Sequence, residues 1–132
     1  MLIVRGDAQT LPSKLNKAAT GEVWFDPILP KTDGVDVATV VFSPNGRTVW
    51  HQHEQGQLLQ NTSAYGFVCK EGEHALRVRA GDTVWIAPNE RHWHGATSST
   101  LMSHTTTTIG ATEFHLAVTE AEHVAANATP RP

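Results

Sequence analysis

A single-domain, all-β fold is what this sequence predicts, and three observations predict it. Apolar residues recur with period two from residue 21 to residue 109, in short segments rich in Val, Thr, Ile and Trp. Turn-forming residues punctuate those segments every ten residues or so, at a spacing of about ten. A helix-like pattern occurs in the C-terminal tail alone. Together they describe a sandwich or a closed barrel, in which inward-facing side chains can enclose one small-ligand cavity.

In chain order the strand segments are "EVWFDPIL" (22–29), "VDVATVVFS" (35–43), "TVWHQH" (48–53), "GQLLQNT" (56–62), "GFVCKE" (66–71), "ALRVRA" (75–80), "DTVWIA" (82–87) and "LMSHTTTTI" (101–109). Asn45-Gly46, Gly56, Gly66, Glu71-Gly72, Gly81-Asp82, Pro88-Asn89 and Gly95 separate them, and these residues close tight turns or tolerate positive φ. The four consecutive threonines of "HTTTTI" suit a strand, because β-branched side chains pack well on a pleated surface. In "VTEAEHVAANA", Thr119 with Glu122 three residues later makes a capping box before a run of alanines, which predicts a short C-terminal helix. The ends, "LPSKLNKAAT" and "NATPRP", are expected to be loose or to drape over a neighbouring subunit.

A chain of 132 residues is the size of one domain with one core, so residues 1–132 read as a single unit. Charged residues make up 17%, and 10 Lys+Arg against 13 Asp+Glu leave a net charge of -3, so there is no basic field to attract nucleic acid. "MLIVRGDAQT" has a short apolar run and an early Asp7, and no stretch approaches the roughly 18 apolar residues of a membrane span. The expectation is a soluble, cytoplasmic protein. The single Cys69 sits in an alternating strand and reads as a small buried hydrophobe. The glycosylation patterns at Asn61 and Asn127 read as chance matches without a secretory signal.

Histidine is the unusual residue. The chain has eight, and His51, His53, His92, His94 and His104 occupy its middle, while His74, His115 and His123 are scattered. Alternate residues of a strand point to one face about 6.6 Å apart, so His51 and His53 can aim both imidazoles at one point. Gln57, after the "EQG" turn, could add an oxygen ligand, and "NERHWHGA" offers His92 and His94 for a third nitrogen. An isolated H-x-H pair is most often a surface feature; two pairs beside Trp in apolar strands, with His104 after "LMS", point instead to a metal. A thiolate zinc site is excluded by the cysteine count.

"NGRTVWHQHEQGQLLQNTSAYG" and "RAGDTVWIAPNERHWHGA" resemble the two signature motifs of the cupin superfamily, over roughly residues 36–109. The resemblance implies a jelly-roll barrel, or double-stranded β-helix, with His51, His53, Gln57 and His92 as metal ligands. Two positions depart from the pattern: Ala64 stands where the first motif ends in Gly, with Gly66 a substitute close by, and Asn89 replaces a Gly of the second. Asn tolerates positive φ better than most residues. More narrowly, "FDPIL", "RTVWHQHEQGQ", "GDTVWIAPNERHWHGA" and "LMSH" are similar to small bacterial cupins that include manganese-dependent hydroxynitrile lyases and relatives of carboxymuconolactone decarboxylase. That likeness implies a glutamine ligand and an active site lined by His94 and His104.

Imidazole and amide ligands suit first-row ions such as Mn(II), Fe(II), Ni(II) or Zn(II) and leave one or two positions open; the resemblance makes Mn(II) the expected one, with the others as alternatives. With neutral Gln57 in place of a carboxylate, the centre should favour an anionic oxygen or cyanide and act as a Lewis acid. His94 or His104 would move the proton, an ordinary imidazole titrating near pH ~6.5; the other role open to His94 is to orient His92 or a water. The resulting expectation is a metal-dependent lyase acting on a small hydroxy or carbonyl substrate, hydroxynitrile cleavage being the example. An oxygen-dependent dioxygenase, an isomerase or dehydratase, and a non-catalytic small-molecule-binding module are the alternatives. Ala38 and Val40, alternate positions of one strand, and Val49, on the face of His51, are expected to line the pocket or fill core, as is Thr108, four residues beyond His104. The resemblance implies a homodimer or homotetramer, with "EVWFDPIL" a candidate contact strand.

Overall fold

Alternating burial along the chain builds two antiparallel sheets that share one long strand. The computed structural model describes residues 1–6 and 11–131; Asp7 and Pro132 lie outside the described residues. The elements are β1 (Ser13–Lys14), β2 (Ala19–Thr20), β3 (Val23–Thr32), β4 (Val35–Phe42), β5 (Arg47–Thr48), β6 (His51–His53), β7 (Gln57–Lys70), β8 (Leu76–Arg79), β9 (Thr83–Ile86), β10 (His92–Ala96), β11 (Met102–Ile109), β12 (Thr112–Phe114) and α1 (Glu120–Asn127). One sheet runs β1-β3-β4-β11-β7-β9. In the other, β10 pairs with the second half of β7 on one side and with β5 and β6 on the other. There β8 flanks β7, while β2 and β12 flank β5 and β6.

The two expected strands "GQLLQNT" and "GFVCKE" are thus one continuous strand, β7. The reason lies at 62–64: the β7–β11 register shifts between the Ser103–Ser63 and His104–Asn61 pairs, which leaves Thr62 as the extra residue, and Ala64 just beyond it, opposite Met102, takes φ 55°. A bulge there bends the strand from the first sheet into the second without ending it. Gly66 is no substitute for a positive-φ glycine: it matters for space, because a Cβ there would collide with Met102 and the Gly95 carbonyl. Asn89 does adopt the left-handed conformation, at φ 58°.

β10 was not marked by alternation, since all five of its residues are buried and both of its faces are covered. Its even positions, His92, His94 and Ala96, face the space between the sheets. Trp93 instead joins Phe67, Cys69, Ala75, Val118 and Ala126 in a second apolar cluster, beneath α1. The main core, Val23, Val40, Phe42, Leu59, Val68, Val78, Ile86, Ala96 and Met102, lies between the sheets. Gly95 is required because a Cβ there would meet Arg47 Cβ at 2.5 Å and the Gly46 carbonyl at 2.6 Å as β5 passes.

The helix forms as expected, with Thr119 as N-cap and Glu122 completing the capping box. His123, grouped with the scattered histidines, is 1% exposed and its Nε2 bonds the Ala96 carbonyl at 2.9 Å, which ties α1 to β10. Arg47 reinforces the junction by donating to the Val118 carbonyl and to Glu120. Segment 11–20 is not loose as expected: β1 pairs with β3, β2 pairs with β5, and Val49 N–H bonds the Ala18 carbonyl. No helix among the described residues is long and apolar enough to cross a membrane. Strand β3, the "EVWFDPIL" segment, lies near the edge of its sheet and leaves Trp24 and Ile28 exposed.

Candidate metal centre

Three facts of strand geometry assemble the site. Alternation puts His51 and His53 of β6 on the inward face, and β10 pairs antiparallel with β6 so that His92 stands opposite His51. The tight turn after His53 then returns the chain into β7, whose first residue is Gln57. One nitrogen from each of His51, His53 and His92 lies within 4.8 Å of the others, a group able to hold a metal ion. All three histidines and Gln57 are at most 5% exposed.

Each of the four side chains is fixed from behind. His51 Nδ1 lies 2.7 Å from the Val49 carbonyl, His92 Nδ1 2.9 Å from the Glu90 carbonyl, and His53 Nδ1 2.8 Å from Thr112 Oγ1. A carbonyl can only accept, so Nδ1 of His51 and of His92 carries the proton and Nε2 keeps its lone pair. Gln57 Nε2 donates to Thr108 Oγ1 at 2.9 Å. What remains is a set of buried atoms with no partner among the described residues: His53 Nε2, His92 Nε2 and Gln57 Oε1. Buried acceptors left unpaired are costly, and a divalent cation is what this donor set fits, being borderline nitrogen ligands plus one amide oxygen.

Electrostatics point the same way. Burial pushes His51 down to about 3, and the neighbouring His92 adds to it. Burial likewise takes His92 to about 4 and His53 to about 4, the neighbouring His51 adding to the fall at His53. These imidazoles are therefore neutral at pH 7, the form that binds a metal.

The cup opens into a cavity of about 240 Å³ between the sheets, lined by His51, His53 and Gln57 together with His94, Val40 and Thr108. Phe25, Phe114 and Thr112 add walls that the sequence pattern did not single out; Thr112 and Phe114 lie in β12, too short to show alternation. Ala38 and Val49 are buried in the core at 0% and 5% exposure and stand outside this lining. A larger cavity, about 700 Å³, lies outside the barrel between Trp93 and α1. Cys69 lines it, and burial pushes its thiol up, which favours the protonated form.

His94 faces the cavity and His104 stands behind it, their ring centroids 4.6 Å apart, with Phe42 edge-on to both. Neither titrates near pH 6.5 as the sequence suggested. Both are fully enclosed, and burial pushes His104 to about 3 and His94 well below its ordinary value. The Glu90 carbonyl orients His92; His94 only stacks on it, with rings 5.6 Å apart.

Comparison with known proteins places this geometry. No family model matches the sequence. Over 87 residues the chain is 42% identical to an (R)-mandelonitrile lyase of Granulicella tundricola, an alignment covering 64% of this chain and 66% of that protein. The aligned stretch thus spans just under two thirds of that relative. A crystal structure of a cupin-like protein from Thermotoga maritima superposes with a TM-score of 0.86 at 33% identity, over 93% of this chain and 99% of the other. A polyketide cyclase of Streptomyces resistomycificus, 13% identical with a TM-score of 0.74 over 93% of this chain and 91% of that one, shares the fold.

Proposed function

This chain belongs to the cupin superfamily, and from that premise we propose that it is a metal-dependent lyase that cleaves and forms a hydroxynitrile. The observation that carries the reading is the convergence of three neutral imidazoles and one amide oxygen, none of them anionic, beneath a small cavity that a further histidine lines. His51, His53, His92 and Gln57 would hold the ion, Mn(II) by the family likeness. When bound, such an ion supplies Lewis acidity toward an anionic oxygen. The 42% identity to a mandelonitrile lyase supports the choice of substrate class.

The protein's own part is proton transfer and exclusion of water. His94 is neutral and lines the cavity, so it begins the cleavage direction as a base. It takes the hydroxyl proton of the hydroxynitrile; the oxygen electrons form the carbonyl as the carbon–carbon bond to the nitrile breaks, and the bond pair leaves with cyanide. The imidazolium then returns its proton to cyanide, giving hydrogen cyanide and an aldehyde. Burial disfavours the imidazolium, which favours that return. His104, ring against ring with His94, adds to the surroundings that keep that imidazole neutral. Val40 and Phe25 supply apolar walls, which a substrate with an aromatic ring fits.

The test is turnover of mandelonitrile by metal-loaded protein in strictly anaerobic buffer. Benzaldehyde and cyanide released in equal amounts are expected. Turnover that requires and consumes oxygen would overturn the lyase reading in favour of a dioxygenase.

A further inference from the structure

The four side chains of the metal cup are anchored in two different ways. His51 and His92 rest on backbone carbonyls, which no substitution alters. His53 and Gln57 rest on the hydroxyls of Thr112 and Thr108. The glutamine is the sensitive case. Its amide has two ends of similar shape, but only the oxygen carries lone pairs for a cation, while the nitrogen presents hydrogens. A carboxylate in the same place has two equivalent oxygens and needs no such choice. Thr108 Oγ1, 6% exposed as a residue, is the hydrogen-bond partner of the Gln57 amide among the described residues, and the opposite end, Oε1, is the unpaired atom.

We propose that Thr108 is a positioning residue: its hydroxyl holds the Gln57 nitrogen and thereby turns the amide oxygen toward His51, His53 and His92. The inference rests on the metal-binding reading of that cup. Thr48, Thr106 and Thr112 also line the cavity, but it is Thr108 whose hydroxyl accepts from the Gln57 amide. β11 carries Thr106 and Thr108 on its inward face, and Thr108 stands directly across the ladder from Gln57. The strand register delivers the hydroxyl to the amide.

The experiment measures manganese(II) affinity of the whole chain by chelator competition, without substrate, alongside the electron paramagnetic resonance spectrum of the bound ion. Thr108→Val keeps the shape and removes the hydroxyl; Thr108→Ser keeps the hydroxyl. Removing an outer partner of a metal ligand costs about 10–100-fold in affinity. Thr108→Val should lose that much and change the spectrum, and Thr108→Ser should restore both. In a Gln57→Glu background the same Thr108→Val change should cost severalfold less, since either carboxylate oxygen can face the ion. Should Thr108→Val fail to fold, Thr108→Ala against Thr108→Ser gives the same comparison. Parent protein that binds no manganese, or any other first-row divalent ion, overturns the cup itself. Parent protein that binds it while Thr108→Val binds equally tightly overturns the role of Thr108 alone.

Discussion

His94 and His104 are buried with ring centroids 4.6 Å apart, and not one of their four ring nitrogens has a hydrogen-bond partner among the described residues. Buried unpaired polar atoms cost about 1–3 kcal/mol each, so this pair weakens the fold. Replacing His104 with Leu should therefore leave stability equal or raise it by about 1–3 kcal/mol. Removing an acid–base group costs about 10²–10⁴-fold in rate, so His94→Ala should lower kcat by at least that order while metal content stays near the parent's. Urea unfolding, kcat and metal analysis on the two variants check this. A His104→Leu protein that unfolds more easily would contradict the cost assigned here.

The buried histidines also set the acid limb of stability. In the unfolded chain each titrates near ~6.5, whereas in the fold His51 and His104 are pushed to about 3 and His53 and His92 to about 4. Below pH ~6.5 the unfolded chain thus binds more protons than the folded one, and stability rises with pH across that window. It is fully present above pH ~6.5 and is lost as the pH falls toward the folded values, by about 1.4 kcal/mol per pH unit for each histidine. Metal-free protein should show a urea midpoint that is flat above that pH and falls below it. In His104→Leu the fall should be shallower by one histidine's share.

How far the sequence disclosed this site depended on whether a residue's neighbours alternate. His51 and His53 were legible because Gln52 between them faces outward, and the helix cap because Thr119 and Glu122 sit at a fixed offset. "HWHGA" hides its strand, since Trp93 and Gly95 are buried on the second face as well. Ala64 hides the continuity of β7, because nothing in its residue type announces a positive φ. Thr108 was visible only as a possible wall, and its bond to Gln57 depends on the register between β11 and β7, which no local pattern encodes.

Ala64 carries a measurable strain of its own. An L-residue in the left-handed region costs roughly 1–2 kcal/mol, and glycine escapes that cost but loses about 0.5–1 kcal/mol of chain entropy. At φ 55° and with its neighbours fixed in β7 and β11, Ala64→Gly should stabilise the protein by about 0.5–1 kcal/mol. An upward shift of the thermal midpoint with unchanged metal affinity is expected, because the bulge keeps its shape. A fall in the midpoint would mean that the methyl group contributes packing that outweighs the strain.

Metal loading should stabilise the fold by an amount set by affinity, because the cup exists only when β6, β10 and the start of β7 are in place. A ligand that binds the folded state alone stabilises it by about 2.7 kcal/mol at a hundredfold excess over Kd. Chelated protein titrated with manganese should show that rise in its unfolding free energy. His92→Ala, which removes the ligand opposite His51 on the neighbouring strand, should abolish the rise. Gln57→Ala should reduce it without abolishing it, since His51, His53 and His92 still converge within 4.8 Å. Equal loss in both variants would show that the amide oxygen is as necessary as an imidazole, and equal retention would show that the ion binds elsewhere.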